Sequence, residues 1–359
     1  IFEGLVTASQ NIQTVKPLLA ESWKILDGGT RIVFKLREGV KFHDDPCFKY
    51  GIGRALTADD IIYTFERIAD KKSGAINWSL FQNKIIGINE FRENISPKIL
   101  GIKKLDDNNI EFNLTKPFVS FLKILASPTA YIIPKEAVEY YGEKFGNHPV
   151  GTGPFRLTEW DILEGLTLVK NENYWERDKN NFSLPYIDKI SIKILHNSAL
   201  VLPELLKSEC NVTEVSNQIF LNLIKDSSIS ANYKFVNCNS GFNIRFIGFA
   251  VDKSISIVSN INFRRAISFG LNKVNLIEEN NLNLIIATNL VPAIFYDFKD
   301  EGYSYSKKKS AALLNNINFS GYNNSVQILS STKLKSVEQI CELISSVKLK
   351  TIVEVSDHQ

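Results

Sequence analysis

The sequence predicts a mixed α/β protein of more than one domain, and three observations carry that prediction. The chain has 359 residues, more than one ordinary hydrophobic core accommodates. Its first half alternates short strand-like runs and turn chemistry with helical stretches whose apolar residues recur every three or four positions. Its end reads strand, helix, strand, the order of a parallel βαβ unit.

The elements follow in order. Residues 22–26 lead into the turn Asp27-Gly28-Gly29-Thr30, after which 31–36 alternates with Ile32, Phe34 and Leu36 on one face, a half-buried strand. Thr57 is a good N-cap, Asp59 and Asp60 suit the positive end of a helix dipole, and Ile61, Phe65 and Ile68 form a buried stripe. A second hairpin spans 101–114 around Asp106-Asp107-Asn108-Asn109. Pro134 opens a helix with Ala137, Val138 and Tyr141 on one side. A third hairpin joins 155–160 to 166–170, and 198–207 reads as helical. In the second half, Phe263, Ala266, Ile267, Gly270 and Leu271 repeat with helical spacing, with Asn262 as the expected cap. A strand is expected over 245–251. The closing unit is a strand at 326–329, a helix with Val337, Ile340, Cys341 and Ile344 inward, and a strand at 349–355.

Composition excludes several classes. A net charge of +3, spread along the chain, gives no basic stripe for nucleic acid. The single basic triplet, Lys307-Lys308-Lys309, reads as a solvated helix start. No apolar run approaches the length of a bilayer span. The opening Ile1-Phe2-Glu3-Gly4-Leu5 reads like the middle of an element, so the expectation is that the natural protein begins earlier and that any targeting segment has been removed. Four cysteines, Cys47, Cys210, Cys238 and Cys341, lack CxxC or zinc-finger spacing and read as free thiols, with one disulfide left open.

Catalytic signatures are missing too. There is no phosphate-binding loop, no nucleophile elbow and no HExxH. Gly51-Ile52-Gly53-Arg54 lacks the third glycine of a dinucleotide fingerprint and reads as a flexible loop. His43-Asp44-Asp45-Pro46-Cys47 holds an imidazole, two carboxylates and a thiol. Nucleophilic catalysis needs them to converge in space, and Asp-Asp-Pro is good turn chemistry, so a turn is expected and no residue is assigned a catalytic role. The four histidines are too scattered for a metal site, and neither metal nor cofactor is expected.

Several stretches together resemble the bacterial extracellular solute-binding proteins of family 5, the oligopeptide-, dipeptide- and nickel-binding proteins of ABC importers. Leu19-Ala20-Glu21-Ser22-Trp23, the run VFKLREGVKFHD at 33–44 and LTADDIIYTFER at 56–67 are similar to the first signature. Val150-Gly151-Thr152-Gly153-Pro154-Phe155 and Asn171-Glu172-Asn173-Tyr174-Trp175 resemble the second. Phe263-Arg264-Arg265-Ala266-Ile267 with Gly270-Leu271-Asn272-Lys273 resembles the third, and Ala311-Ala312-Leu313-Leu314 a later helix. The stretch 46–54 and Ala250 depart from the pattern.

The resemblance implies a two-lobed, type II periplasmic-binding-protein-like fold with an extra domain inserted in the first lobe. On that basis residues 1–128 are the inserted α/β domain with part of the first lobe, 129–241 the first lobe and 242–359 an incomplete second lobe. An opening strand before Ile1 and a closing portion after Gln359 are expected. Plain packing roles are expected for Gly151 and Gly153, and for Trp23 and Trp175 in the core, with Arg37 paired locally. The implied function is capture of peptides in an interlobe cleft by hinge closure, without catalysis, as the substrate-binding component of an ABC importer. The expected partners are a small peptide and a membrane permease, not nucleic acid, and the expected state is a periplasmic or extracellular monomer, with lipid anchoring left open. Other ligands (a nickel complex, haem, an oligosaccharide), a ligand-sensing domain of a regulator and a Cys47-dependent hydrolase remain alternatives. For the ligand, Asn77 and Trp78 are expected to face the cleft, Phe242 and Asn243 to form its floor and Gly241 to act as hinge; Trp78 packed against Phe81 is the competing structural reading.

Overall fold

The computed structural model describes residues 1–9, 14–75, 77–207, 210–215, 219–220, 223–236, 246–251, 256–279, 286–287, 302–322, 325–330, 335–346 and 350–355. The chain divides into two compact units, Ile1–His196 and Asn197–Gln359.

The first unit holds three antiparallel sheets. Strands β1 (Val6–Ala8) and β2 (Val15–Pro17) form a ribbon with Thr7 opposite Lys16. Strands β3 (Ala20–Leu26), β4 (Arg31–Leu36), β5 (Ile102–Lys104) and β6 (Asn109–Asn113) make the main sheet, in the order β3-β4-β6-β5. The turn between β3 and β4 runs through positive φ at Asp27, Gly28 and Gly29 (51°, 64° and 97°), a path that glycine tolerates and aspartate sometimes takes. Alternation then sends Ile32, Phe34 and Leu36 into the core, as the sequence predicts. Strands β7 (Phe155–Asp161), β8 (Gly165–Lys170) and β9 (Lys189–Lys193) form the third sheet.

Helix α1 (Ala58–Ala69) begins where expected. The Asp60 carboxylate accepts from the Thr57 backbone N–H at 2.9 Å, closing a capping box, and Ile61, Phe65 and Ile68 are buried. Phe65 meets Phe112 of β6 and Phe81 edge-on, each at 5.1 Å between ring centres, and so joins helix, sheet and the loop after α1 in one core. Three short helices complete the unit: α2 (Ile88–Arg92), α3 (Phe121–Leu125) and α4 (Lys135–Tyr141), the last capped by Pro134.

Two expectations need correction here. Gly51–Arg54 is not a loose loop, because the Gly53 N–H donates to Asp44 Oδ1 at 2.8 Å and Arg54 is held on both edges of its guanidinium. Trp23 and Trp175 do not fill the core; they are half-buried and pack on its rim.

The second unit holds helices α5 (Val201–Leu206), α6 (Ser227–Ser230), α7 (Ile261–Gly270), α8 (Lys273–Glu279), α9 (Lys307–Asn315) and α10 (Lys335–Ser345). The basic triplet does start a helix, α9, which Ser306 caps. The cap of α7 is Asn260, not Asn262. Asn260 has the extended backbone a cap requires and accepts from the N–H groups of Asn262 and Phe263, whereas Asn262 already lies inside the first turn. Strands β10 (Ser325–Ser330) and β11 (Lys350–Val355) pair in parallel, with α10 between them in sequence, which is the βαβ unit read from the sequence. Phe263, Ala266, Ile267, Leu314, Ile340 and Ile344 form this unit's core. The strand expected over 245–251 is not formed across 246–251; Phe246, Ile247 and Val251 lie exposed there and no described strand pairs with them.

Candidate functional site

The two ligand-facing residues expected in the first unit are neighbours in a short helical turn, Trp78–Leu80, after α1. Asn77 is exposed, and its Nδ2 reaches Thr129 Oγ1 at only 3.4 Å, a weak bond that leaves most of the amide's capacity unspent. Trp78 is half-buried. One side of it packs on the core that contains Phe81, and the Arg92 guanidinium lies over the ring at 4.0 Å from its centre. Arg92 is itself fixed by an Nη1 bond to the Ala69 carbonyl at 2.9 Å. Among the described residues no hydrogen bond engages the Trp78 indole N–H. The turn therefore combines a stiffened flat ring, carrying one indole N–H, with the Asn77 amide donor. Gly241, Phe242 and Asn243 lie outside the described residues, and so does Cys238.

Elsewhere in the first unit, signature residues and Glu3 form a buried polar junction. The 150–154 segment runs so close to the Ile1 carbonyl that a Cβ on Gly151 or Gly153 would collide with it. His43, 2% exposed, holds this segment: its Nδ1 accepts from the Gly151 N–H at 3.4 Å and its Nε2 lies 2.8 Å from the Gly153 carbonyl. The acceptor role of Nδ1 places the proton on Nε2, which donates to Gly153. Burial pushes the imidazole down to about 4. The Asn171 amide donates to the same carbonyl at 3.0 Å. Beside it, Glu3 is 4% exposed and accepts from Thr152 Oγ1 (2.7 Å), Trp175 Nε1 (3.3 Å) and the Tyr174 hydroxyl (3.0 Å). Burial raises the Glu3 carboxyl above its usual range, against the lowering effect of these three donors.

The His43–Cys47 stretch makes the expected turn, the Phe48 N–H donating to the Asp45 carbonyl at 3.0 Å. Its would-be catalytic groups do not converge. His43 points into the junction, whereas Asp45 accepts from the Tyr141 hydroxyl and the Cys47 N–H at 3.0 and 2.9 Å. Burial, and then the neighbouring Asp45, push the Cys47 thiol well above its ordinary value, the opposite of an activated nucleophile. Cys47, Cys210 and Cys341 are free thiols. The stretch 46–54 ends on Arg54, whose two edges grip Asp60 (2.9 and 2.7 Å) and Glu136 (2.5 and 2.7 Å). Burial opposes its charge, but the two carboxylates hold it above its ordinary range.

The chain matches known proteins in both sequence and fold. The family model for bacterial extracellular solute-binding proteins, family 5, matches residues 14–347. The chain belongs to that family. Among curated family members, the Dipeptide-binding protein of Escherichia coli K12 is 28% identical over 325 residues, 88% of this chain and 57% of its own. Heme-binding protein A of Haemophilus influenzae is 26% identical over 323 residues, 88% of this chain and 56% of its own. This chain thus spans little more than half the length of these relatives. Among family structures, HbpA2 from Haemophilus parasuis superposes with a TM-score of 0.72 at 21% identity, covering 99% of this chain and 70% of that one. DppA from Helicobacter pylori, in complex with the peptide STSA, gives 0.66 at 24%, covering 99% and 68%. These likenesses establish the fold: mixed α/β, of the two-lobed type II periplasmic-binding class that the sequence predicts.

Several motif residues have structural roles: Ile61 and Phe65 fill the core, and His43, Gly151, Gly153 and Asn171 build the polar junction. The His43 strut and the Glu3 junction escape a sequence reading, because their partners lie more than 100 positions away and no spacing rule links them. Among the described residues no group of acidic, histidine or cysteine side chains is arranged to hold a metal, and no helix is long and apolar enough to cross a membrane.

Proposed function

We propose that this chain is part of the substrate-binding component of an ABC importer that captures peptides between two lobes by hinge closure and delivers them to a membrane permease. The single observation that carries the reading is family membership together with a dipeptide-binding relative alignable over 88% of the chain. The Trp78 turn supports it: a fixed aromatic wall beside unspent donors suits a ligand whose backbone carbonyls, and not its side chains, are recognised. In this reading Asn77 and Trp78 face the ligand, Phe242 and Asn243 line the opposite floor and Gly241 absorbs the rotation. Residues 1–128 contain the inserted domain, 129–241 the first lobe and 242–359 the second. The protein works as a monomer outside the cytoplasmic membrane and breaks no bond in its ligand; the raised Cys47 thiol and the fully engaged His43 fit a non-enzyme.

The deciding experiment is calorimetry of the protein with di- to hexapeptides, paired with native mass spectrometry of protein purified from its host. Peptide heats that depend weakly on side chains, or co-purifying peptide masses, are the expected result. Absence of both heat and thermal stabilisation with every peptide sinks the reading, since a ligand selective for the native state must stabilise it. One second reading has its own support, the alignable Heme-binding protein A. A saturable haem absorbance change with no peptide heat would favour it.

A further inference from the structure

One groove of the first unit is lined by cations that the peptide-binding reading leaves unused. It encloses about 610 Å³ between the β1–β2 ribbon and the Trp175–Arg177 segment. Three positive side chains line it, Lys16, Arg37 and Arg177, and each is positioned by a different part of the chain. Lys16 stands opposite Thr7 in the ribbon, and directly opposed residues of an antiparallel pair project from the same face. Arg37 is stacked over Trp175 at 4.5 Å, and its Nε donates to the Leu18 carbonyl at 2.6 Å. Both constraints fix the guanidinium plane and engage neither of its two terminal amino groups in a hydrogen bond among the described residues. Arg177 is tethered by one Nη1 bond to the Asn181 carbonyl at 3.0 Å.

The charge balance of this groove is uneven. Its one acidic lining residue, Glu176, accepts from the Tyr174 hydroxyl at 3.1 Å. Among the described residues, no carboxylate makes an ion pair with Lys16, Arg37 or Arg177. Like charges that converge in a concavity raise the local potential, and a counter-charge entering from solvent relieves it. Guanidinium groups pair with planar or tetrahedral oxyanions through two parallel N–H bonds, and the lysine and the Thr7 hydroxyl add single donors. The walls also carry Pro17, Leu18 and the Trp175 ring, and the volume exceeds that of a bare inorganic ion.

From this arrangement we infer a second binding site, for an organic dianion whose oxyanionic groups meet Lys16, Arg37 and Arg177 while its carbon body lies along Leu18 and Trp175. Phosphomonoesters and dicarboxylates share that chemistry. The site goes beyond the peptide reading and does not depend on it.

The test uses glycerol 3-phosphate and succinate as the two probes, glycerol as the uncharged control and sodium chloride at matched ionic strength. Binding is measured by calorimetry on the full chain and on the double variant Lys16→Gln/Arg177→Gln. Arg37 is left intact because its bonds to Leu18 and Trp175 hold the fold. Saturable binding of at least one dianion, weakened at least tenfold in the variant, with glycerol silent, is the expected result; which probe binds separates phosphate from carboxylate chemistry. Silence of both dianions, or equal binding by the variant, overturns the site. Peptide affinity is read on the same two proteins. An unchanged value keeps this site separate from peptide capture, and a matching tenfold loss refutes a second site by making the groove part of the first.

Discussion

Thr152 donates its hydroxyl to the Glu3 carboxylate across 2.7 Å inside the core, joining residues 149 positions apart. Glu3 is a buried carboxyl with three donors around it, and burial still keeps it above the usual range. The native state therefore holds this proton more tightly than the unfolded chain does. Stability from this group is greatest below the ordinary carboxylate range and declines as pH rises through the raised folded value. Glu176 lies beyond the shared Tyr174 hydroxyl, Arg37 stacks on Trp175 and His43 braces the neighbouring Gly153.

Glu3→Gln should be tolerated and should gain on the wild type as pH rises. Its carbonyl keeps the Thr152 and Trp175 donors, and its amide donates to the Tyr174 oxygen while that hydroxyl turns to Glu176. Glu3→Ala instead strands buried donors and should cost about 3 kcal/mol. Urea unfolding of the three proteins from pH 4 to pH 8 checks both; a Gln variant as unstable as the Ala variant would contradict the geometry.

His43 produces the opposite slope. Its folded value near 4 lies below the ordinary 6.5, so the unfolded chain takes up the proton first as pH falls. The stability it contributes is complete above the ordinary value and is lost between the two, about 3 kcal/mol at most. His43→Gln should be less stable at pH 7.5 but flatter in this window. A His43 imidazole resonance, assigned by its loss in His43→Gln, titrating near 6.5 in the folded protein would refute the assignment.

Arg54→Ala should destabilise by about 2–4 kcal/mol, more than Glu136→Ala, because it leaves the almost fully buried Asp60 without its counter-charge. Arg54→Lys should not restore the loss, since a point charge cannot bridge two carboxylates from separate edges. Thermal unfolding ranks the three variants; equal effects of the first two would show that Asp60 is satisfied by other groups.

Cys47 should alkylate more than tenfold more slowly than an unhindered thiol at pH 8, because its thiolate is disfavoured by burial and by Asp45. Peptide mapping after timed iodoacetamide treatment measures this residue by itself. Rapid labelling, or an esterase activity abolished by Cys47→Ser, would return the hydrolase alternative to consideration.

Asn77→Ala should lower peptide affinity roughly tenfold with little effect on stability, as expected for an exposed amide that donates about one hydrogen bond to ligand. Trp78→Ala should lose both, because its ring also supports Arg92 and the core. Paired calorimetry and melting curves separate the two. An Asn77→Ala protein with unaltered peptide affinity removes the turn from the ligand surface.

The sequence makes regular elements legible where one local rule suffices. Thr57 and Asp60 announce α1, the alternation of Ile32, Phe34 and Leu36 announces β4, and strand–helix–strand order announces the β10–β11 pair. Elements of three to five residues, such as β1, β2 and α2, carry too few residues to show a period. The sequence reading caps α7 at Asn262 and the structure caps it at Asn260, because composition cannot tell which asparagine leaves the helix. Asn77 and Trp78 enter the candidate site through the family resemblance, which puts the segment after the first helix near the ligand. Lys16, Arg37 and Arg177 have no such signal, since only the folded path brings them to one groove.

The bonds from Glu3 to Thr152, Tyr174 and Trp175 also set the order in which this chain becomes protein. A contact closing so long a loop pays a large chain entropy before it returns any enthalpy, and such contacts slow folding. A nascent chain can make its early hairpins, the β1–β2 ribbon among them, as they emerge from the ribosome, but the Glu3 carboxyl finds its donors only after Trp175 has been synthesised. Until then that carboxyl stays hydrated beside strands already paired, so the polar junction should be among the last parts of the first unit to close, with the Tyr174–Trp175 pair as its final stitch.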